Sequence, residues 1–212
     1  MEIKSIVNPT NEVMLKRSSI RKYDSSVKIP REEMKNILKD AMTAPSSLNL
    51  QPWRFVVVDS TEGKEKIKPY MMFNELQWQT SAAIIAVFGD LQCASNAEKL
   101  YSSAVEHKLL PQQKKEAMVE MINTYVSSYT IDRLSNSIML DCGFVAMQIM
   151  LSAKNYGYDT NPIGGYVRDE FTKAVGLDTN RYLPVILLSI GKADEEAHAS
   201  VRFSVDEVTE FK

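Results

Sequence analysis

Ala82-Ala83-Ile84-Ile85-Ala86-Val87-Phe88 is an unbroken apolar run with the length and β-branched content of a strand. Apolar and polar side chains do not alternate along it. Both faces of its sheet are therefore expected to be covered by helices. Working outward, Phe55-Val56-Val57-Val58 reads as a second strand and Leu183 to Ile190 as a third, both apolar without alternation. Helices should supply the cover. A short one is expected from Asn8 to Lys16. A better-marked one follows, with Pro30 in its first turn, Met34, Ile37, Leu38, Ala41 and Met42 at helical spacing, and a stop before Pro45. Ala94 to Tyr129 reads as helical and more polar. The longest helix is expected over 136–156, with Ser135 as N-cap and Gly157 at its end. Its apolar residues, among them Ile138, Cys142, Phe144, Val145, Met147 and Ile149, cover most of the circumference, which predicts burial in the core or at a dimer interface. The expected architecture is α+β, few strands and many helices.

The chain has 212 residues, with no repeat, low-complexity tract or linker-like stretch, so residues 1–212 are read as one domain. Hydrophobic residues make up 44%, enough for a sizeable core, and a net charge of −2 gives no electrostatic case for nucleic acid or an anionic membrane. No uninterrupted apolar run approaches the roughly 20 residues needed to span a bilayer. Met1-Glu2-Ile3-Lys4 lacks the pattern of a signal peptide, and Cys93 and Cys142 stand far apart in unlike settings. A cytoplasmic protein without a disulfide framework is the expectation.

The sequence contains no Walker phosphate loop, no Rossmann glycine fingerprint and no nucleophile elbow. His107 and His198 stand alone, without Cys or His at ligand spacing, and are expected at the surface; no metal site is expected. Three short constellations remain. Arg17-Ser18-Ser19-Ile20-Arg21 puts two guanidinium groups and a hydroxyl on one face, whether extended or helical, and suits a phosphate; a solvated basic stretch is the plainer reading. Ala44-Pro45-Ser46-Ser47-Leu48-Asn49-Leu50-Gln51-Pro52-Trp53 is a proline-bracketed loop that could present donors and acceptors to the edge of a flat ring, or satisfy only its own turn. Asn161-Pro162-Ile163-Gly164-Gly165-Tyr166 could bring backbone N–H groups close to a ligand, or be a plain loop before a helix. Asn74 and Gln77, three apart, could reach one ligand, and Arg202 follows the last strand.

Together and in this order, R-S-S-I-R, A-P-S-S-x-N-x-Q-P-W, N-x-x-Q, P-I-G-G-Y and the late arginine resemble the nitroreductase family, over a span from about Arg17 to Arg202. The resemblance implies a sandwich with a central mixed or antiparallel sheet flanked by helices, in an intertwined homodimer holding FMN in a groove at the subunit interface. It implies that Arg17, Ser18, Ser19, Arg21 and Arg202 hold the phosphate and ribityl chain, and that Asn74 and Gln77 reach the ring and ribityl. Pro45, Ser46, Ser47 and Asn49 would come to the ring from the partner subunit, and Ile163, Gly164 and Gly165 would lie along its N5 side. The implied activity is ping-pong hydride transfer through the flavin, from NADH or NADPH to a nitroaromatic, quinone or similar electrophile, with no protein acid or base. Enone or azo reduction, dehalogenation, flavin fragmentation and non-catalytic flavin binding are the alternatives on the same fold. Gln77 stands where many relatives carry lysine, Gly164 where many carry an acid, and no lysine lies near Ser200, which removes charge from around the ring.

Overall fold

In the computed structural model, which describes residues 9–212, the strands Trp53–Val58 (β1), Ala83–Asp90 (β2), Asp159–Ile163 (β3) and Tyr182–Gly191 (β4) form one sheet in the spatial order β1-β2-β4-β3. Every pairing is antiparallel, which decides between the mixed and antiparallel alternatives. The apolar runs fall in β1, β2 and β4; main-chain pairing carries β2 on to Asp90 and β1 back to Trp53.

Strand β2 shows why its sequence does not alternate. Ala83, Ile85 and Val87 point into one core with Ile37, Ile138, Val145 and Ile149. Ile84, Ala86 and Phe88 point into a second, with Trp78, Ile163, Phe171 and Leu187. Helices cover both sides. On the first side lie α1 (Pro9–Lys16), α2 (Arg31–Ala41), α5 (Asn96–Glu106), α6 (Gln112–Ser127) and α7 (Ile131–Asn155); on the second, α3 (Thr61–Ile67), α4 (Glu75–Thr80) and α8 (Arg168–Ala174). Past β4 the chain runs exposed to a single turn, α9 (Val205–Val208). Each fully buried Ile or Val side chain contributes about 2 kcal/mol.

Several boundaries differ from expectation. Asn8, expected to open α1, lies outside the described residues. Pro30 sits just ahead of α2 as its cap residue, with ψ 142°, not inside the first turn. The polar stretch breaks into α5 and α6 at Lys108, whose φ is +59°. Helix α7 starts five residues before the expected Asn136: Thr130 caps it by accepting a hydrogen bond from the Arg133 N–H at 3.3 Å, and Ser135 is interior. Its end agrees with the glycine signal, Gly157 having φ +80°. Burial of α7 is one-sided in the single chain: Ile138, Val145 and Ile149 are inside, while Leu140, Phe144 and Met147 are exposed. By length and composition α7 could cross a membrane; here it packs on all four strands and on α2.

The largest difference is β3. Asp159-Thr160-Asn161-Pro162-Ile163 is an edge strand paired with β4, and Pro162 is tolerated because an edge residue needs no second partner.

Candidate active site

The arginine segment is fixed by what lies between its polar residues. Ile20 and Tyr23 are both buried, and the Tyr23 hydroxyl meets Ser189 Oγ at 2.8 Å. Burial raises the Tyr23 phenol well above its ordinary pKa, so it stays neutral and structural. Ser19 forms a parallel bridge with Thr160 on β3, and the Ile20 N–H donates to Thr160 O at 3.1 Å. With Ile20 turned inward, the segment lays its arginines along the sheet edge. Arg17, Ser18, Ser19 and Arg21 line a cavity of about 820 Å³ together with His198 and Arg202, which the C-terminal segment brings back to it. Among the described residues none of the three arginines forms a salt bridge; Arg202 donates to the Val201 carbonyl at 2.8 Å. Glu195 accepts from the backbone N–H of Arg21 at 2.5 Å and forms no salt bridge with its guanidinium. His198 is exposed as expected, yet it faces this cavity.

Beyond Thr160, β3 runs three residues to Ile163, roughly 10 Å at the rise of a strand. There the chain enters Gly164-Gly165. Asn74 donates through Nδ2 to Gly165 O at 2.9 Å and also to Met72 O, and Gln77 Nε2 donates to Asn74 Oδ1 at 3.2 Å. A Cβ on Gly165 would sit 3.1 Å from Asn74 Nδ2 and 3.3 Å from Met72 O, so any larger residue would need these neighbours to give by a few tenths of an ångström. Ile163 belongs to the site only through its backbone, because its side chain is buried in the second core. The second half of the predicted set, Asn74, Gln77, Gly164 and Gly165, is thus gathered at one end of the edge strand whose other end carries the arginines.

The loop from Pro45 to Asn49 lies elsewhere. Ser46 serves its own turn: Oγ accepts from the Gln51 N–H at 3.0 Å, and Ser46 O accepts from the Asn49 N–H at 3.0 Å. Leu48, Asn49 and Gln51 have φ of 53°, 53° and 47°, strained for residues with a Cβ. Pro45, Ser47 and Asn49 are exposed. Within one chain this loop neighbours Tyr125 and Tyr129 and helix α7, not the arginine cavity.

Asp141, buried in the middle of α7, accepts the Ser47 N–H on both carboxylate oxygens, at 3.0 and 3.1 Å. Sequence reasoning missed it, although a lone carboxylate inside an apolar helix is itself a signal. The pair Tyr125 and Tyr129, with Arg133 stacked on them, was also missed. Among the described residues no group of three His, Cys, Asp or Glu side chains could hold a metal ion.

The arginine motif, Arg202 and the Asn74, Gln77 and Gly164-Gly165 set lie along one edge strand, while the loop from Pro45 to Asn49 lies apart from them within one chain. The model of the Nitroreductase family matches residues 14–192. YdgI of Bacillus subtilis (strain 168), named as an NAD(P)H nitroreductase, is 48% identical over 205 residues, spanning 97% of this chain and 98% of its own. The CLA biosynthesis enone reductase of Lactiplantibacillus plantarum is 36% identical over 214 residues, 99% of this chain and 97% of its own. A crystal structure from Exiguobacterium sibiricum 255-15, named as a nitroreductase in complex with FMN, superposes with a TM-score of 0.94 at 46% identity, covering 97% of this chain and 98% of that one. With the family model spanning most of its length and close relatives matching end to end, the chain belongs to the nitroreductase family of oxidoreductases.

Proposed function

We propose that the chain, acting whole as one flavin-binding unit, is an FMN-dependent enzyme that oxidises NADH or NADPH and reduces nitroaromatics, quinones or related electrophiles. In this reading it works as a homodimer with two shared sites, in the cytoplasm. The observation that carries the reading is the convergence of Arg17, Arg21 and Arg202 on one cavity, beside an edge strand that ends at Asn74, Gln77 and Gly165.

The donor set fits the cofactor. Three guanidinium groups that form no salt bridge among the described residues, with the Ser18 and Ser19 hydroxyls, suit a phosphate and the ribityl hydroxyls, each charge-assisted hydrogen bond being worth about 1.5–3 kcal/mol. The amides of Asn74 and Gln77 match the polar edge of the ring, and Gly164-Gly165 lets main chain lie against it without a Cβ between. When bound, FMN supplies two-electron chemistry, taking hydride from the reduced nicotinamide in one half-cycle and passing it to the electrophile in the other. The protein's own part is to hold, orient and shield, and no side chain here is assigned as acid or base.

The homodimer is supported by the separation of Pro45, Ser46, Ser47 and Asn49 from the arginine cavity within one chain. A second copy supplies the loop that completes the ring site. The exposed apolar stripe Leu140, Phe144 and Met147 on α7 offers a face for it, and self-complementary faces are the usual means of forming such pairs. The kinship to an enone reductase favours a second reading, the same flavin reducing activated carbon–carbon double bonds.

The test is a visible spectrum of the purified protein, repeated without oxygen after NADH and then NADPH. A flavin spectrum that bleaches with either is expected. Flavin indifferent to both would turn the reading to a binding protein, and no flavin after incubation with FMN would overturn it.

A further inference from the structure

Tyr125 near the end of α6 and Tyr129 just past its C-cap Ser128 meet edge-on, with ring centroids 4.9 Å apart and an interplanar angle of 65°. The chain then turns, Thr130 caps α7, and Arg133 folds back over both rings. Its guanidinium carbon is 4.0 Å from the Tyr129 ring centroid and 5.8 Å from that of Tyr125. Stacked in this way, a guanidinium keeps its edge N–H groups free for a planar anion. Among the described residues Arg133 forms no salt bridge, and both it and Tyr125 are exposed. Its guanidinium also interacts with the Tyr129 hydroxyl, and it has no carboxylate partner among the described residues.

The position gives this arrangement a purpose. Tyr125 and Tyr129 wall the same cleft as Ser47 and Leu48, and the Tyr101 hydroxyl donates to Leu48 O at 3.4 Å. The cluster thus adjoins the loop assigned above to the flavin ring.

We propose that Arg133, held by Tyr125 and Tyr129, selects electron acceptors that carry a carboxylate on an aromatic or otherwise flat body. The carboxylate takes the edge of the guanidinium while the exposed face of Tyr125 receives the body. This rests on the proposed flavin function and names the acceptor class for it. Arg133 is a specificity residue and takes no part in the transfer of hydride.

The test compares p-nitrobenzoate with p-nitrobenzamide, nearly equal in shape but differing in charge, on flavin-loaded wild type, Arg133→Gln and Arg133→Lys. Flavin content and bleaching by NADH and NADPH are recorded first. If wild type holds no reducible flavin, the underlying reading falls and this one with it. With that established, the ratio of kcat/KM for benzoate over benzamide should fall about tenfold in Arg133→Gln, the scale of one partly exposed charge-assisted hydrogen bond. Arg133→Lys should recover part of it, through KM more than kcat. A ratio that holds within about twofold, or an equal loss for both acceptors, overturns the proposal. So does a loss confined to bleaching by NADPH, which would assign the guanidinium to the nucleotide's phosphate.

Discussion

The Asp141 carboxylate, buried halfway along α7, receives the backbone N–H of Ser47 on both of its oxygens, at 3.0 and 3.1 Å. It is the direct tie between the long helix and the strained loop from Pro45 to Gln51. Burial raises the carboxyl pKa and the bond from Ser47 opposes that rise. Asp141→Ala leaves the Ser47 N–H without its partner, and a loss of about 1–3 kcal/mol in stability is expected. Asp141→Asn keeps an acceptor and sheds the buried charge, so its loss should be smaller. Thermal melts of the two variants check the order. If Asn costs as much as Ala, the carboxylate is doing more than holding the loop.

Arg21 offers a separate test of the phosphate assignment. Its backbone N–H is engaged with Glu195 and its side chain has no salt bridge among the described residues, so truncation should disturb the ligand and not the fold. Arg21→Ala is expected to weaken FMN binding by roughly 10- to 100-fold, the worth of one charge-assisted contact. Flavin titration with a parallel melt decides it; wild-type affinity would remove Arg21 from the site.

What was legible in the sequence follows from where the signals are local. Ala83 to Phe88 is apolar on both faces because it separates two cores. The motif around Arg17 and Arg21 is local too, since alternation alone puts the arginines on one side. Strand β3 was hidden because Asp159, Thr160 and Asn161 are polar and Pro162 is a poor strand residue; pairing with β4 forms it, and that is a long-range contact. The same holds for Arg133 over Tyr129, created by the turn between two helices. The α7 start was missed because Asp132 and Arg133 hide the helix from a reading by hydrophobic period.

Lys64 provides a pH test of stability. It is buried, its ammonium donates to the Ser81 carbonyl, and no carboxylate is bonded to it. Burial first, then the nearby Lys28, pushes its pKa down to about 8, against a small opposing pull from Asp59. The sign follows from proton counting. Between pH 8 and the ordinary lysine value of 10.5 the unfolded chain binds more protons than the folded one, so this residue makes stability rise with pH across that window. The benefit is lost as pH falls through 8. In denaturant titrations from pH 7.5 to 10.5, wild type should gain on Lys64→Met by an amount on the order of 2–3 kcal/mol. A difference that stays flat with pH would mean that Lys64 is hydrated in solution.

The exposed stripe on α7 tests the dimer. Leu140, Phe144 and Met147 are 60%, 43% and 40% exposed, at spacings of four and three, so they form one apolar line opposite the buried one. A helix on the core of a monomer would carry polar residues there. Apolar side chains on this line are explained if a second copy covers them. Phe144→Glu puts a charge into that contact without touching the core, because the neighbouring inward residues are Val145 and Ala146. Sedimentation at micromolar concentration is expected to show monomer for the variant and dimer for wild type. Flavin should be lost together with the dimer, since the loop from Pro45 to Asn49 would no longer reach a partner's site. A variant that remains dimeric would place the interface elsewhere, and one that becomes monomeric yet keeps its flavin would show that a single chain completes the site.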